Sequence, residues 1–466
     1  MSLWYKRFKP IPDPIYDSIH IPGNLLSFIN NPIFQKLRYK RQLACAHLIY
    51  PSLNNTRFEH SLGVFHLMSI FLRRFLSEIE NRIVVPAFYD DNESINLIEK
   101  KREKLNELIS IDIIFELLIA ALYHDIGQSA FSHLIDNVGR RNPEFNIQND
   151  KNYSEKLIKE NVILDKIFNT FNKNLLKEKN KEVNRENITN IITKGIHSIP
   201  ELYFLSELLN SSVDLDRLDY MNRDCYYSGI INLKIPYNFI MASIRIFPYI
   251  HIIENEEKEN KVFFRLCYDL SAIHSLEFLL ISRYFMYKQI YHHERGKIAE
   301  NMIGKAIEIS LENKLITSDD LHLLGDEELL IKLKENEESK KLVERYYNRD
   351  LYNIAFKKNY SQLNNQEKTK LIEWNVPFEF DFVRKWERKL ANKIGLDETE
   401  VIIDIPISRF NETKVKLWDE KSKSLCEFEE HTEFKNIQPY SIDYILCAIS
   451  TKDKLDEANK NLFKVI

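Results

Sequence analysis

The sequence predicts a mainly α protein: an all-helical core over residues 1–334, followed by a small α/β C-terminal domain over 335–466. Glycine is scarce, at 10 of 466 residues. Up to about residue 330, apolar residues recur at i, i+3, i+4 and i+7, which is typical of amphipathic or buried helices. The last third instead carries alternating and β-branched stretches such as EVIIDIPI, which favour strands.

The helical prediction rests on a few long periodic segments. They are PIFQKLRYKRQL, FEHSLGVFHLMSIFLRRFLSEI, ELYFLSELLNSSVDLDRLDYM and SAIHSLEFLLISRYFMYKQIY. Two polar insertions rich in Lys, Asn and Glu, near 86–110 and 140–192, interrupt them, and we expect solvated helices or mobile segments there. A short hairpin is expected near 254–266. In the C-terminal domain, KVKLWDEKSKSLCEF predicts strands and PFEFDFVRKWERKLANKIG predicts a helix.

Bulk properties indicate a cytoplasmic protein without a membrane partner. The net charge is −4 and the pI about 6.4, so bulk charge gives no argument for binding nucleic acid or a membrane. Five widely spaced cysteines without a CxxC pair favour free thiols in a reducing compartment. The N-terminus lacks the apolar core of a signal peptide. The most apolar run, IDIIFELLIAALYHDIG, is too short and too charged to span a bilayer.

The stretch ALYHDIG places His124 beside Asp125 at the end of an apolar helix. His60 lies upstream in RFEHSLG, and Asp214 and Asp216 lie downstream in VDLDRLDY. Two imidazoles and two carboxylates suit a divalent ion such as Mn, Fe, Zn, Ni or Mg, and they leave positions for water and a phosphate oxygen. Each motif alone has a simpler explanation, because DLDRLD is typical of a solvated helix face. The chain order of all three motifs favours a metal site.

This ordered set resembles the HD-domain phosphohydrolase superfamily, and within it the deoxynucleoside triphosphate triphosphohydrolase (dNTPase) branch. The resemblance covers most of residues 9–310, including DPIYDSI, YPSLNNTRFEHSLGVFHL, YHDIGQSAFSH, VDLDRLDYMNRDCYYSGI and SRYFMYKQIYHH. It implies an HD-domain core whose metal ligands are His60, His124, Asp125 and Asp216. Asp214 remains an alternative to Asp216 for the fourth ligand.

The resemblance also implies a reaction, the hydrolysis of a dNTP to a deoxynucleoside and inorganic triphosphate. Cations would meet the phosphate charge and polar side chains would read the sugar. The phosphate residues implied are Arg57 at the α-phosphate, Arg217 beside the metal, and Arg283 at the terminal phosphate. The nucleoside residues implied are Tyr220, which excludes a 2′-hydroxyl, Asp224 at the 3′-hydroxyl, and Gln42 and Tyr291 near the sugar. Catalysis would involve Arg57, His133 and Asp136.

Two departures from the family pattern concern catalysis. The family often reads HD-x-x-H, and here the last position is Gln128. The family also carries a histidine in the next helix, whereas no histidine occurs between His133 and His197, and Asp150 falls near that place. An aspartate is a poor proton donor near neutral pH unless its pKa is raised. His133 would then act as the acid alone, hydrolysis would be slower, or the substrate would be a different phosphoester.

A third departure concerns regulation. Many relatives are homo-oligomers, dimers or tetramers, that bind a regulatory nucleotide between subunits. The residues that read guanine there are an aspartate and an arginine, and here they correspond to Asn30 and Arg38. An amide donates where a carboxylate would accept, which disfavours guanine. Lys9 and Arg38 remain candidates for the phosphates of another nucleotide or of a nucleic acid.

Two other functions fit the same sequence. The chain could be another HD phosphohydrolase, acting on a nucleoside monophosphate, a cyclic nucleotide or a nucleic-acid end. It could also be a catalytically weakened nucleotide-binding relative, since the fold supports several chemistries.

Overall fold

The structure, a computed structural model, describes residues 8–229, 233–251, 261–373, 381–410, 414–434 and 440–466. It is mainly helical, which confirms the predicted fold class. The helices of the first half are α1 (Leu26–Ile29), α2 (Pro32–Gln35), α3 (Arg57–Arg82), α4 (Asn92–Leu108), α5 (Ile111–Tyr123), α6 (His133–Arg141), α7 (Asp150–Glu160), α8 (Val162–Lys179), α9 (Arg185–Lys194), α10 (Tyr203–Ser206), α11 (Leu215–Ser228) and α12 (Tyr237–Ala242).

The remaining helices extend the core and form the C-terminal part. They are α13 (Ile273–Met286), α14 (Glu294–Glu312), α15 (Ser318–Leu323), α16 (Asp326–Leu333), α17 (Glu337–Tyr347), α18 (Asn365–Glu373), α19 (Asp381–Ile394), α20 (Phe428–His431) and α21 (Leu455–Val465). Residues Tyr287–Tyr291, between α13 and α14, form one turn of π-helix. Such turns are frequent at functional sites.

The strands form four small sheets. They are β1 (Phe8–Asp13), β2 (Asp17–Pro22), β3 (Ile244–His251), β4 (Lys261–Asp269), β5 (Asn353–Asn359), β6 (Val401–Asp404), β7 (Ile407–Arg409), β8 (Lys416–Asp419), β9 (Ser424–Glu427), β10 (Tyr440–Ile442) and β11 (Tyr444–Ile449). The sheet orders are β1-β2, β3-β4-β8-β9, β5-β11-β6 and β10-β7. β8 pairs parallel with β4, and the other pairs are antiparallel.

The core contains more strand structure than helical periodicity suggests. The hairpin predicted near 254–266 corresponds to the antiparallel pair β3 and β4, and residues 252–260 between them lie outside the described residues. The strands predicted in KVKLWDEKSKSLCEF are β8 and β9, which extend the β3–β4 sheet of the core. The C-terminal third therefore also contributes to the core, and a domain boundary near residue 334 stays a prediction.

The helix α5 is the centre of the core. Every residue from Ile113 to Tyr123 is buried, which fits a sequence that is apolar except for Glu116. It packs against α3 and α9, and α3 packs against α11. The three segments that carry the HD-type motifs are thereby brought together by apolar burial, worth about 25 cal/mol for each Å² of apolar surface removed from water.

The two polar insertions are helical where they are described. The first contains α4 and the second contains α7, α8 and α9. The second is more than a solvated surface, because Ile188, Ile191 and Ile192 of α9 are buried against the core. These three residues stand at i, i+3 and i+4, a short apolar stripe within a polar sequence. Among the described residues, none of the helices combines the length and apolar character needed to cross a bilayer.

The loop before α6 has an unusual backbone that later helices hold in place. Phe131 and Ser132 have φ values of 54° and 52°, a left-handed conformation that costs free energy for residues other than glycine. The Asp326 carboxylate accepts hydrogen bonds from the backbone N–H of Phe131 and of Arg41, both at 2.9 Å. Ala130 N–H donates to the Leu321 carbonyl at 2.8 Å. Helices α15 and α16 thus fix the backbone immediately before His133.

We expect Asp326→Ala to lower the free energy of unfolding by about 2–4 kcal/mol, because the buried Phe131 N–H and the partly buried Arg41 N–H lose their acceptor. Chemical denaturation followed by circular dichroism measures this change. The control is Asp319→Ala, an aspartate of α15 whose side chain is 52% exposed, and its effect should stay below about 1 kcal/mol. Equal stability of the two variants would show that Asp326 does not hold the loop.

Candidate metal centre

Four candidate ligand atoms lie close together at the ends of three helices. His60 lies in the first turns of α3, His124 and Asp125 directly follow α5, and Asp216 is in the first turn of α11. The Nε2 atom of His60 is 2.9 Å from Asp216 Oδ1 and 3.8 Å from Asp125 Oδ2. The Nε2 atom of His124 is 3.5 Å from Asp125 Oδ2 and 3.8 Å from Asp216 Oδ1. The two Nε2 atoms are 3.1 Å apart.

The hydrogen bonds of the two imidazoles determine which nitrogens carry protons. His60 Nδ1 lies 2.8 Å from Asp219 Oδ2, and His124 Nδ1 lies 2.9 Å from the Ala121 carbonyl oxygen. Both partners are acceptors, so both Nδ1 atoms must donate. In the neutral rings both Nε2 atoms then present lone pairs to each other and to two carboxylates. The two Nε2 lone pairs and the two carboxylates therefore surround a position where a positive charge would offset their repulsion.

A divalent cation fits this donor set. Ligand atoms about 2.1 Å from one ion lie roughly 3.0–3.4 Å from their neighbours, close to the separations around His60 and His124. Burial disfavours a charge on His60, yet its hydrogen bonds to Asp216 and Asp219 raise its pKa to about 10. The same position thus attracts a proton when no metal compensates the carboxylates. Mixed nitrogen and oxygen ligands do not identify the metal.

A buried network behind the candidate metal ligands orients His60. Asp219 accepts hydrogen bonds from Arg223 on both carboxylate oxygens at 3.0 Å and from the Tyr16 hydroxyl at 2.8 Å. Arg223 also donates to Asp13 at 2.9 Å. Carboxylate partners of this kind fix the tautomer of a ligating histidine. Gly63 completes the arrangement, because a Cβ atom there would lie 1.8 Å from Asp219 Oδ1.

Arg57 connects the metal ligands to the loop before α6. Its Nη1 donates to Asp125 Oδ2 at 2.6 Å and its Nε donates to Ser132 Oγ at 3.1 Å. Burial by itself raises the pKa of Asp125, but the charges of Arg57, His124 and His60 hold it well below its usual range. Asp125 is therefore ionised and ready to bind a cation.

A cavity of about 460 Å³ opens beside the metal ligands. It brings together most of the residues that the sequence assigned to the substrate. The predicted residues that line it are Gln42, Arg57, Asp125, His133, Asp216, Tyr220, Asp224, Arg283 and Tyr291. Arg217 is not among the residues lining this cavity or the second one described below. The C-terminal part contributes Asp404–Pro406, Ile407 and Arg409 to the wall.

Part of the cavity wall consists of hydrogen-bonding side chains. Asp224, which is fully buried, accepts hydrogen bonds from Asn55 Nδ2 and the Tyr291 hydroxyl, both at 3.0 Å. Burial raises the pKa of Asp224 to about 6. The buried Gln42 Oε1 finds no hydrogen-bond donor within the described part of the chain. An O–H or N–H group of a bound molecule would satisfy it.

His133 lines both this cavity and a second one of about 650 Å³, and Asp136 lines the second. The His133 side chain is 77% exposed, and its Nδ1 is 3.3 Å from Asp136 Oδ2. By contrast, Lys9 and Arg38 are exposed residues of β1 and of the turn after α2, and Arg38 donates to Gln35. A nucleotide site formed by Lys9 and Arg38 stays a prediction.

Sequence reasoning missed the residues that support the ligands. Asp219, Arg223 and Gly63 lie within the quoted motifs, and the Asp-x-x-x-Arg spacing on α11 was the available signal for the buried pair. Asp13 lies in the quoted DPIYDSI motif but its partner Arg223 is 210 residues away, and Asp326 lies outside the quoted motifs. Their importance follows only from burial and long-range hydrogen bonds.

Comparison with known proteins finds similar sequences and a similar fold. The sequence profile of the HD associated region matches residues 258–434. An uncharacterized protein of Methanocaldococcus jannaschii is 27% identical over 460 residues, 98% of this chain and 82% of that protein. The deoxynucleoside triphosphate triphosphohydrolase SAMHD1 homolog of Dictyostelium discoideum is 24% identical over 362 residues, 75% of this chain and 60% of its own length.

A solved structure shows the same fold over nearly the whole chain. It is the crystal structure of a hypothetical protein from Aquifex aeolicus, with a TM-score of 0.68 and 21% sequence identity. The match covers 98% of this chain and all of that one. At this identity the likeness concerns the fold.

Substitution can distinguish Asp214 from Asp216 as the fourth metal ligand. Asp214 Oδ1 caps α11 by accepting the Arg217 N–H at 2.8 Å, whereas Asp216 Oδ1 faces both histidines. We expect Asp216→Asn to weaken metal affinity by more than about 10-fold, since even the outer partners of metal ligands contribute 10–100-fold. Asp214→Asn, whose amide still caps a helix, should retain the metal. Metal titration with elemental analysis measures both, and loss of metal in Asp214→Asn alone would reverse the assignment.

Proposed function

We propose that this chain is a member of the HD-domain superfamily, on its dNTPase-like branch, and a metal-dependent hydrolase of deoxynucleoside triphosphates. The observation that carries the proposal is the shared cavity. It joins two metal ligands, Asp125 and Asp216, to the cations Arg57 and Arg283 and to the polar residues around Asp224. Its volume suits a small-molecule ligand of nucleotide size.

The charges in the cavity favour a polyphosphate. His60, His124, Asp125 and Asp216 would hold the metal. A bound divalent ion lowers the pKa of water and offsets negative charge on phosphate oxygens. Arg57, 5% exposed, and Arg283, also 5% exposed, present guanidinium groups that match phosphate geometry. We propose that Arg57 meets the α-phosphate and Arg283 the distal phosphates.

The nucleoside end favours a deoxyribose. Tyr220 lines the cavity, with its ring centroid 6.4 Å from that of His60, and would fill the space that a 2′-hydroxyl needs. Gln42 Oε1 and the carboxylate of Asp224 offer acceptors to the sugar hydroxyl. A site that excludes one hydroxyl by packing and binds another by hydrogen bonding discriminates more strongly than packing alone.

The reaction proposed is cleavage of the bond between the α-phosphorus and the 5′-oxygen by water. The oxygen of water joins the triphosphate, and the leaving 5′-oxygen takes a proton to give the deoxynucleoside. His133 is the proposed proton donor, because its ring is exposed to the cavity and bonded to Asp136. Homo-oligomer formation and nucleotide regulation belong to the proposal by resemblance only.

The purified chain with Mn²⁺ should convert each dNTP it accepts into a deoxynucleoside and inorganic triphosphate. In water labelled with heavy oxygen, the label should appear in the triphosphate, because the attack is at phosphorus. Chromatography with mass spectrometry identifies both products, and His124→Ala serves as the inactive control. Formation of a deoxynucleoside monophosphate and pyrophosphate, or turnover of other phosphoesters only, would contradict the proposal.

Substituting Tyr220 should relax the sugar preference. We expect Tyr220→Ala to raise kcat/KM for ribonucleotides relative to deoxyribonucleotides by roughly 10–100-fold, because the packing that excludes the 2′-hydroxyl is removed. Tyr226→Ala is the matched control, since Tyr226 lies on the same helix with 58% of its surface exposed. An unchanged ratio in Tyr220→Ala would assign sugar selection to other residues.

A further inference from the structure

Three titratable side chains outside the metal ligand set meet at the second cavity. His133 and Asp136 come from α6, and Asp150 is the first residue of α7. One ligand-type atom of each lies within 4.8 Å of the others. All three line the cavity of about 650 Å³, together with His124, Asp125 and Asp216. The cluster is therefore adjacent to the metal centre.

Gln128 and Asp150, the two positions at which the sequence departs from the family's catalytic pattern, are in contact in this cluster. Gln128 Nε2 donates to Asp150 Oδ2 at 2.6 Å, and Ser129 N–H donates to Asp150 Oδ1 at 3.1 Å. Both carboxylate oxygens thus accept a hydrogen bond, which favours the ionised form. Gln128 and Asp150 form a single hydrogen-bonded pair, a relation that their separation in the sequence did not reveal.

Charged and titratable groups surround Asp150 on every side. On α6 these are Asp136 and His133; from the other packed elements they are Arg57, Asp125, Lys40 and His322, whose Nδ1 is 3.8 Å from Asp150 Oδ1. Burial and the charge of Asp136 raise the pKa of Asp150 to about 7. The hydrogen bond to Asp136 raises the pKa of His133, and the charges of Asp136 and Asp150 raise it further against the opposing charge of Arg57.

We infer that Asp150, held by Gln128, is a positioning residue that works with Asp136 to keep His133 as an imidazolium at the cavity wall. This inference rests on the proposed function, because that function requires His133 to donate a proton. Asp136 faces Nδ1 of His133, and the second carboxylate adds negative charge to the same cluster. Two carboxylates can therefore hold one charged imidazole without the additional histidines that the family pattern carries.

The proton balance of this arrangement is simple. The His133 imidazolium gives one proton to the leaving 5′-oxygen and becomes neutral. Because the side chain is 77% exposed, solvent can return the proton before the next turnover. Asp136 stays ionised throughout, Asp150 is ionised above about pH 7, and neither touches a reacting atom. Asp150 therefore acts through His133.

The test compares Asp150→Asn with the parent chain in two measurements. Histidine NMR titration, with the His133 resonance assigned through His133→Gln, should show a lower pKa for His133 in Asp150→Asn because one carboxylate is lost. This measurement needs no turnover, so it stands even if the proposed substrate is wrong. An unchanged His133 titration would overturn the inference.

Kinetics supply the second measurement, on whichever phosphoester the parent chain hydrolyses. A lower His133 pKa means that the acid loses its proton at lower pH. Asp150→Asn should therefore lower kcat by roughly 10-fold above about pH 7.5, by much less near about pH 6, and leave KM nearly unchanged. Asp165→Asn, an exposed aspartate in the first turn of α8, is the matched control and should follow the parent profile.

The partnership with Gln128 is tested by a double-mutant cycle. Gln128→Ala should lower kcat in the parent chain but have little further effect in Asp150→Asn, since both changes remove the same positioning. Multiplicative effects would overturn the partnership. Loss of bound metal in Asp150→Asn, measured by elemental analysis, would also overturn the inference, because it would make Asp150 a metal ligand.

Discussion

The convergence of four electron-pair donors between α3, α5 and α11 is the constraint on which the rest of the structure depends. Each imidazole Nε2 lies within 4 Å of the other imidazole and of both carboxylates, and these lone pairs and charges repel one another unless a positive charge lies among them. These groups stay close together only if the residues packed behind them are fixed by hydrogen bonds of their own, and we call those residues the outer layer. Asp219, Arg223, Asp13 and Tyr16 form that layer, buried and fully hydrogen-bonded around the back of His60.

Backbone geometry extends this constraint to the rest of the cavity. The loop before α6 keeps two residues in the left-handed region, and such strain persists only where the surroundings oppose its relaxation. Here Asp326 and Leu321, from helices nearly 200 residues later in the chain, hold the loop through backbone hydrogen bonds. The position of His133 relative to Arg57 thus depends on packing between the core and the segment that follows it.

Much of the fold could be predicted because its signals are local. The apolar run of α5, the amphipathic α3 and the strand pattern of β6 and β8 each lie within one segment of the chain. The partners of these segments could not be predicted so readily. β8 joins the core strand β4, and the polar α9 packs against α5 through three isoleucines. Which helices and strands pair depends on how surfaces from distant parts of the chain pack together, and the local sequence does not specify this.

The sequence by itself determined the helical class and the order of three motifs whose residue types suit a divalent ion. The tertiary structure decided which aspartate faces the histidines, which buried carboxylate orients His60, and that Gln128 and Asp150 are partners. The physical reason is that helical periodicity spans only a few residues, whereas convergence of side chains depends on long-range packing, burial and the direction in which each Nε2 and carboxylate oxygen points.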